Sequence, residues 1–222
     1  MDNVRVIEVK ENVFASNIRN ADELRARMKE QGPLLVNLLS SPGAGKTTLL
    51  SRTIDALAGE MKIGVIEADV DSAVDAETVR MHGAKAVQVH TGGMCHLDAG
   101  MTDQGLTELG YEGLDLVFIE NVGNLICPAE FDTGAAVKAM ILSTPEGHDK
   151  PLKYPLMFEV SDVVLVSKVD VAPYFDFDMD EFEKNVRLRN KDVQILPLSA
   201  KTGEGMDAWL DWLRAQVAAW KA

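Results

Sequence analysis

Cysteine is scarce in this 222-residue chain, which has two, at positions 95 and 127, and only four histidines. Two thiols cannot build a disulfide framework in a chain of this length. Free thiols persist in reducing compartments, so the expected location is the cytoplasm. No stretch approaches the ~18 apolar residues of a membrane span, and the opening MDNVRVIEVKENVF lacks the apolar run of a signal peptide. No membrane partner is expected. Basic residues are outnumbered, 22 against 35 acidic ones, for a formal charge of -13. Such a surface repels phosphodiester backbones, so no nucleic acid partner is expected either. No internal repeat, low-complexity tract or long Gly/Ser/Pro linker divides the sequence. One domain over 1–222 is the economical reading, with 1–33 as an N-terminal extension and helix packed on it.

What is present is ordinary for a globular protein: 46% hydrophobic and 26% charged residues. Short apolar runs rich in Val, Ile and Leu recur as LLVNLLS (34–40), KIGVIEA (62–68), AKAVQVH (84–90), LDLVFIENV (114–122), AMILST (139–144), DVVLVSK (162–168) and VQILPLS (193–199). They do not alternate with polar residues, as expected of strands covered on both faces. Helical patterns stand between them, among them TTLLSRTIDALAGEM and the C-terminal MDAWLDWLRAQVAAW, whose tryptophans read as packing residues. NADELRARMKEQG reads as a helix capped at Asn20 and ended by Gly32. STPEGHDKPLKYP (143–155) is expected to be irregular. Strand–helix alternation predicts an α/β fold: a mostly parallel sheet of about seven strands with helices on both faces.

SSPGAGKTT (40–48) follows the first predicted strand and opens a helix. A phosphate-binding loop requires that context. Gly43, Ala44 and Gly45 would turn backbone N–H groups toward phosphates, helped by the helix N-terminus. Lys46 would reach the β- and γ-phosphates, and Thr47, beside Thr48, would hold Mg²⁺. The strict pattern asks for glycine at position 40, where this chain has Ser40.

SKVD (167–170) resembles the guanine-reading Asn-Lys-x-Asp motif, with Ser167 in place of Asn. Asp170 would accept from the guanine N1–H and amino group, while the Lys168 stem packs on the base. Adenine would leave that carboxylate unpaired, at a cost of at least about 1–3 kcal/mol. LPLSAKTGEG supplies Ser199, Ala200 and Lys201, a loop of the kind that closes over guanine. Acids end two further strands. Asp69 and Glu120 are candidates for Mg²⁺, directly or through water. Asp75 is a weaker candidate for orienting the attacking water, and Asp71 reads as loop solvation. Gly123 would follow a γ-phosphate, making 121–127 a switch.

TGGMCHLDAG (91–100) places Cys95 beside His96. Neighbours in a strand point to opposite faces and do not easily chelate one ion. Gly92 and Gly93, followed by a helix start at LDAG, would bend the chain and aim both donors one way. Thiolate and imidazole suit Zn²⁺ and Ni²⁺. Cys127 lies seven residues after Glu120, so a switch there would move a ligand. Three ligands per chain leave coordination open, and a symmetric dimer would pool six. Taken residue by residue, the plainer reading stays ahead: two small, partly buried cysteines with no ligand role.

SSPGAGKTT, GGMCHLDA, FIENVGNLICPAEFD, EGHDKPLKYPLMF, SKVD and SAKTGEGMDAWLDWL together resemble the hydrogenase nickel-incorporation GTPase family, HypB, over about residues 34 to 213. The resemblance implies a P-loop NTPase of the SIMIBI-like GTPase type that hydrolyses GTP slowly to GDP and phosphate. It implies help in loading nickel into [NiFe]-hydrogenase as a metallochaperone, and a GTP-promoted homodimer. It implies ligation of Ni²⁺ or Zn²⁺ by Cys95, His96 and Cys127 at the dimer interface. The implied partners are an accessory protein of the HypA type and, indirectly, the hydrogenase large subunit. The cysteine motif or histidine-rich tract some members carry at the N-terminus is missing from residues 1–33, so nickel storage is not expected. Lys150 and Lys153 are open between phosphate or subunit contact and plain surface. The neighbouring alternative is the urease accessory GTPase, which usually has Cys-Pro-His where this chain has Cys95-His96-Leu97. More distant alternatives are a nucleotide- and metal-gated binding module without relevant hydrolysis, and a P-loop kinase.

Overall fold

A computed structural model of the chain describes residues 9–69 and 74–222, with side chains described for 14–68 and 77–222. Seven strands form the sheet: β1 (Leu34–Ser40), β2 (Ile63–Asp69), β3 (Lys85–His90), β4 (Leu116–Glu120), β5 (Val137–Ser143), β6 (Val163–Ser167) and β7 (Gln194–Pro197). Their order is β3-β2-β4-β1-β5-β6-β7, and every pairing is parallel. β1 shows why the apolar runs do not alternate. Leu34, Val36 and Leu38 join the core on one face of the sheet, while Leu35 and Leu39 join clusters on the other.

The helices are α1 (Val9–Gln31), α2 (Lys46–Leu57), α3 (Val74–Met81), α4 (Ala99–Leu109), α5 (Cys127–Glu130), α6 (Lys150–Lys153), α7 (Pro155–Glu159), α8 (Met179–Arg187) and α9 (Met206–Lys221). α2 and α9 cover one face, where Leu50, Ile54, Trp209 and Leu213 meet β1 and β6. Trp209 is 1% exposed, stacks on Trp212 and donates its indole N–H to Thr53 Oγ1 at 2.9 Å. The tryptophans thus pack, as expected. Among the described residues no helix is long and apolar enough to cross a membrane.

Two expectations need correction. Asn20 is not an N-cap: it lies inside α1, exposed, and the helix begins at least as early as Val9. VKENVFASNIR contains no Gly or Pro to stop it, and Asn17, 6% exposed, anchors this part of the helix to the body. Segment 143–155 is not irregular either. It folds as a 3₁₀ turn (Thr144–Glu146) followed by α6 and the start of α7. Ser143 and Glu146 form a reciprocal capping box there, which satisfies the donors of a short turn.

Candidate functional site

The carboxyl ends of the parallel strands form one rim, where open α/β sheets bind ligands. At the end of β1 the chain turns through Pro42 to Gly45 into α2, and Gly45 caps the helix at φ 99, a conformation that glycine adopts without steric cost. The Lys46 ammonium donates to Ser40 Oγ at 2.9 Å, and that hydroxyl donates to the Ser41 carbonyl at 2.7 Å. Ser40, the departure from the strict motif, is therefore the lysine's partner within the loop. Thr47 Oγ1 donates to Glu120 Oε1 at 2.9 Å. These groups face a cavity of about 580 Å³ that Glu67, Asn121 and Gly123 also line. A Cβ at Gly123 would lie 3.0 Å from the Pro42 backbone, so this segment rests directly on the phosphate loop.

A second cavity, of about 430 Å³, adjoins the first through Gly45, Thr48 and Lys168. Ala44, Asp170, Ser199, Ala200 and Lys201 line it, so every candidate nucleotide-binding residue borders one of the two cavities. Ser167 Oγ donates to the Ala44 carbonyl at 2.7 Å, and Lys168 Nζ donates to the Gly43 carbonyl at 2.6 Å. The Ser199 N–H donates to Glu204 O, and Gly203 N–H donates back to Ser199 O, both at 2.8 Å. Arg52 Nε holds the same loop through Ala200 O at 3.2 Å.

Asp69 ends β2 and Asp75 lies in the first turn of α3. Their side chains, and Asp71 altogether, lie outside the described residues. Glu67, which sequence reasoning passed over, is 3% exposed and pairs in register with Glu120, itself 4% exposed. Its signal was available: two residues before Asp69 on one strand is the same face. Oxygen-only donors of this kind suit a hard cation such as Mg²⁺, and a dication there would offset two buried acidic groups. Lys150 and Lys153 line neither of the two cavities. Lys153 pairs with Asp149 at 2.5 Å, and the Lys150 ammonium lies over the Tyr154 ring.

Past β3 the chain bends at Cys95-His96 before Asp98 caps α4, accepting from Met101 N–H at 2.8 Å. The bend brings both side chains close to Cys127, the first residue of α5. One donor atom from each of Cys95, His96 and Cys127 lies within 4.8 Å of the others, with Cys95 Sγ 4.0 Å from His96 Nδ1. Around a tetrahedral metal such atoms sit about 3.5 Å apart, so closure asks each to move by only about an ångström. A hydrogen bond with Cys95, then burial, pushes the Cys127 thiol above its ordinary value, against the pull of Asn124. Burial holds His96 below the ordinary histidine value, although Asp98 and Glu130 work the other way. The imidazole is thereby kept neutral, the form that binds metal.

Four more residues brace this site. His96 stacks on Phe131 with centroids 3.7 Å apart, and Phe131 meets Phe14 of α1. Asn17 accepts from Ala99 N–H at 3.0 Å and donates to Asp132 O at 2.9 Å, tying the segments that follow Cys95–His96 and Cys127 to one helix. Asn121 Oδ1 accepts from Leu97 N–H at 3.1 Å.

Residues 34–197 match the family model for the CobW/HypB/UreG nucleotide-binding domain. Hydrogenase maturation factor HypB of Azotobacter chroococcum mcd 1 is 46% identical over 217 residues, 97% of this chain and 70% of its own. The chain belongs to the HypB family. The solved HypB of Archaeoglobus fulgidus is 39% identical and superimposes with a TM-score of 0.85 over 91% of this chain and 99% of its own. That of Helicobacter pylori, solved in complex with nickel, is 35% identical, with a TM-score of 0.87 over 92% and 96%. The all-parallel sheet and its nucleotide crevice are thus the HypB P-loop architecture.

Proposed function

We infer that this HypB-family chain is a slow GTPase switch that assists nickel insertion during [NiFe]-hydrogenase maturation. The observation that carries the reading is the continuity of two sites. The segment from Glu120 to Gly123 lines the phosphate cavity, and four residues later Cys127 completes the cluster with Cys95 and His96. The nickel complex of the Helicobacter pylori relative supports nickel as the cargo, and the same soft donors accept Zn²⁺.

Lys46 and the backbone N–H groups of Gly43 to Thr48 hold the triphosphate. Asp170, Lys168 and the Ser199–Lys201 loop select guanine. Thr47 and Glu120, with Asp69, would hold Mg²⁺, which would offset charge on the β- and γ-phosphates. Asp75 orients the attacking water. No arginine stands in these motifs to act as a finger, so turnover is on the order of 10⁻³ s⁻¹, as for small GTPases unaided. GTP promotes a homodimer in which two copies of the Cys/His/Cys set share one or two metals. The cargo then passes between a HypA-type accessory protein and, indirectly, the hydrogenase large subunit in the cytoplasm. The chain acts as one GTPase domain with α1 as an integral brace.

The test is equilibrium nickel titration of one preparation loaded with GDP or a non-hydrolysable GTP analogue. A nucleotide-dependent affinity supports the reading. Equal affinity in both states, or undiminished binding after Cys127→Ala, overturns it.

A further inference from the structure

Cys127 belongs to the phosphate-facing segment, but Cys95 and His96 come from the far side of β3, on a loop that lines neither nucleotide cavity. One carboxamide joins that loop to the phosphate site by hydrogen bonds. Asn121 follows Glu120 at the end of β4, is 1% exposed and lines the phosphate cavity. Its backbone N–H donates to Leu38 O at 3.2 Å, in the strand that leads into the phosphate loop. Its Oδ1 accepts from Val122 N–H at 2.9 Å and from Leu97 N–H at 3.1 Å. Leu97 is the residue after His96 and is fully buried. A buried backbone N–H must keep a partner, so a shift of Asn121 has to move Leu97 or strand its N–H.

The same carboxamide has a second arrangement within reach. Its Nδ2 donates to Asn37 Oδ1 at 3.2 Å, while Asn37 Nδ2 is buried without a hydrogen-bond partner. If both carboxamides rotate, Asn37 Nδ2 donates to Asn121 Oδ1 and gains its partner, but Asn121 Oδ1 is withdrawn from both Leu97 N–H and Val122 N–H. The bond between the two side chains is kept and two backbone bonds are lost, so the second arrangement needs a new acceptor in the phosphate cavity, which Asn121 and Val122 line. Coupling between sites needs a two-state element of this kind, one that both sites bias.

We propose that Asn121 is a positioning residue that carries the state of the phosphate site to the Cys95–His96 half of the metal site, alongside the ligand Cys127. This rests on the reading of those three residues as a nickel site. Phosphate occupancy next to Gly123 sets the Asn121 arrangement. That in turn holds or releases Leu97, and with it the approach of His96 and Cys95 to Cys127.

Two measurements test it. Amide exchange at Leu97 is followed by NMR in the metal-free protein with GDP and with a non-hydrolysable GTP analogue. Exchange is expected to differ on the order of tenfold between the two states, within the ~5–150-fold range of allosteric couplings. Equal exchange overturns the proposal whatever nickel does. Nickel titration of the wild-type protein and of Asn121→Ala is then run in both states. The ratio of the two affinities is expected to fall toward one in the variant, with the part carried by Cys127 remaining, while nickel still binds. A ratio unchanged from wild type overturns the relay and leaves the nickel reading intact. Loss of nickel binding in both states makes Asn121 a scaffold only and equally overturns it. A wild-type protein that binds no nickel, yet shows the Leu97 difference, sinks the nickel reading and not the relay.

Discussion

The Ser167 hydroxyl donates to the Ala44 carbonyl across 2.7 Å. Beside it Lys168, held at φ 61, donates to the Gly43 carbonyl. The end of β6 is thereby fastened to the phosphate loop at two consecutive carbonyls. Removing one of these bonds forfeits about 0.5–1.5 kcal/mol. Ser167→Ala is therefore expected to speed release of both GDP and GTP by about two- to tenfold, followed with a fluorescent nucleotide. Unchanged release means that the serine does not couple the two cavities.

Asp170 borders the second cavity from the 3₁₀ turn that follows Lys168. An Asn there presents a donor where guanine also presents one, whereas xanthine presents a carbonyl. Asp170→Asn should lower affinity for GTP relative to xanthosine triphosphate by about 10–100-fold, the equivalent of about 1–3 kcal/mol at one buried polar pair. Competition binding of the two nucleotides decides it, and a retained guanine preference removes Asp170 from base recognition.

The fold was legible because its signals are local. Each apolar run became a strand within a few residues, since two-sided burial leaves a Val/Ile/Leu run that no exposed segment resembles. The phosphate loop and the Ser199–Lys201 loop were equally plain, because backbone N–H geometry ties such motifs to consecutive residues. Long-range side-chain bonds were not legible. Nothing around Asn17 announces that it would bridge Ala99 and Asp132, residues 82 and 115 positions away. Nothing around Asn121 announces Leu97. The Asn20 cap failed for a related reason. A capping residue competes with the helix only if the chain before it has nowhere to pack, and here Phe14 and Asn17 had a surface waiting.

Metal binding at Cys95, His96 and Cys127 should release protons. Thiolates, not thiols, bind the ion, and the Cys127 thiol is held above its ordinary value, first by the bond with Cys95. Through neutral and mildly alkaline pH the metal must displace that proton, so apparent affinity rises with pH until the raised thiol value is passed. His96 titrates below its ordinary value, so it adds no proton at neutrality and competes only in acid. The metal-free fold carries the opposite sign at Cys127. A raised thiol favours the protonated folded state, and that stability is lost as pH rises from the unfolded thiol value through the folded one. Calorimetry in buffers of different ionisation enthalpy counts the protons, and identical heats in every buffer exclude thiol ligation.

Phe131 stacks on His96 with an interplanar angle of 20°. Such ring pairs contribute about 0.5–1.5 kcal/mol beyond area burial. Phe131→Leu keeps the apolar contact and loses the stack, so nickel affinity should fall by about two- to tenfold with guanine affinity unmoved. Asn17→Leu acts on the same loop from the helix side and leaves Ala99 N–H without its partner. Parallel titrations with nickel and with GDP separate the effects. A shared loss of both ligands would mean that α1 supports the whole domain and does not act on the metal loop in particular.

Gly205 closes the loop that carries Ser199 to Lys201 and sits at φ 70. A Cβ there would stand 2.1 Å from the Pro197 carbonyl oxygen and 3.1 Å from Leu198 Cα. Both atoms are backbone, so no rotamer change relieves the clash, and the loop that carries Ser199 to Lys201 must move. Gly203 offers the control, because its φ is also positive, at 89, while a Cβ there meets nothing within 4 Å. Gly203→Ala should cost only the left-handed conformation, about 1–2 kcal/mol. Gly205→Ala should cost about 2–4 kcal/mol in urea unfolding, at the strained end of single substitutions. It should also erase guanine selectivity, because Lys46 and its loop still hold the phosphates while the base side is displaced. If GTP and ATP remain as well discriminated in Gly205→Ala as in Gly203→Ala, the 199–201 loop does not contact the base, and the second cavity takes something else.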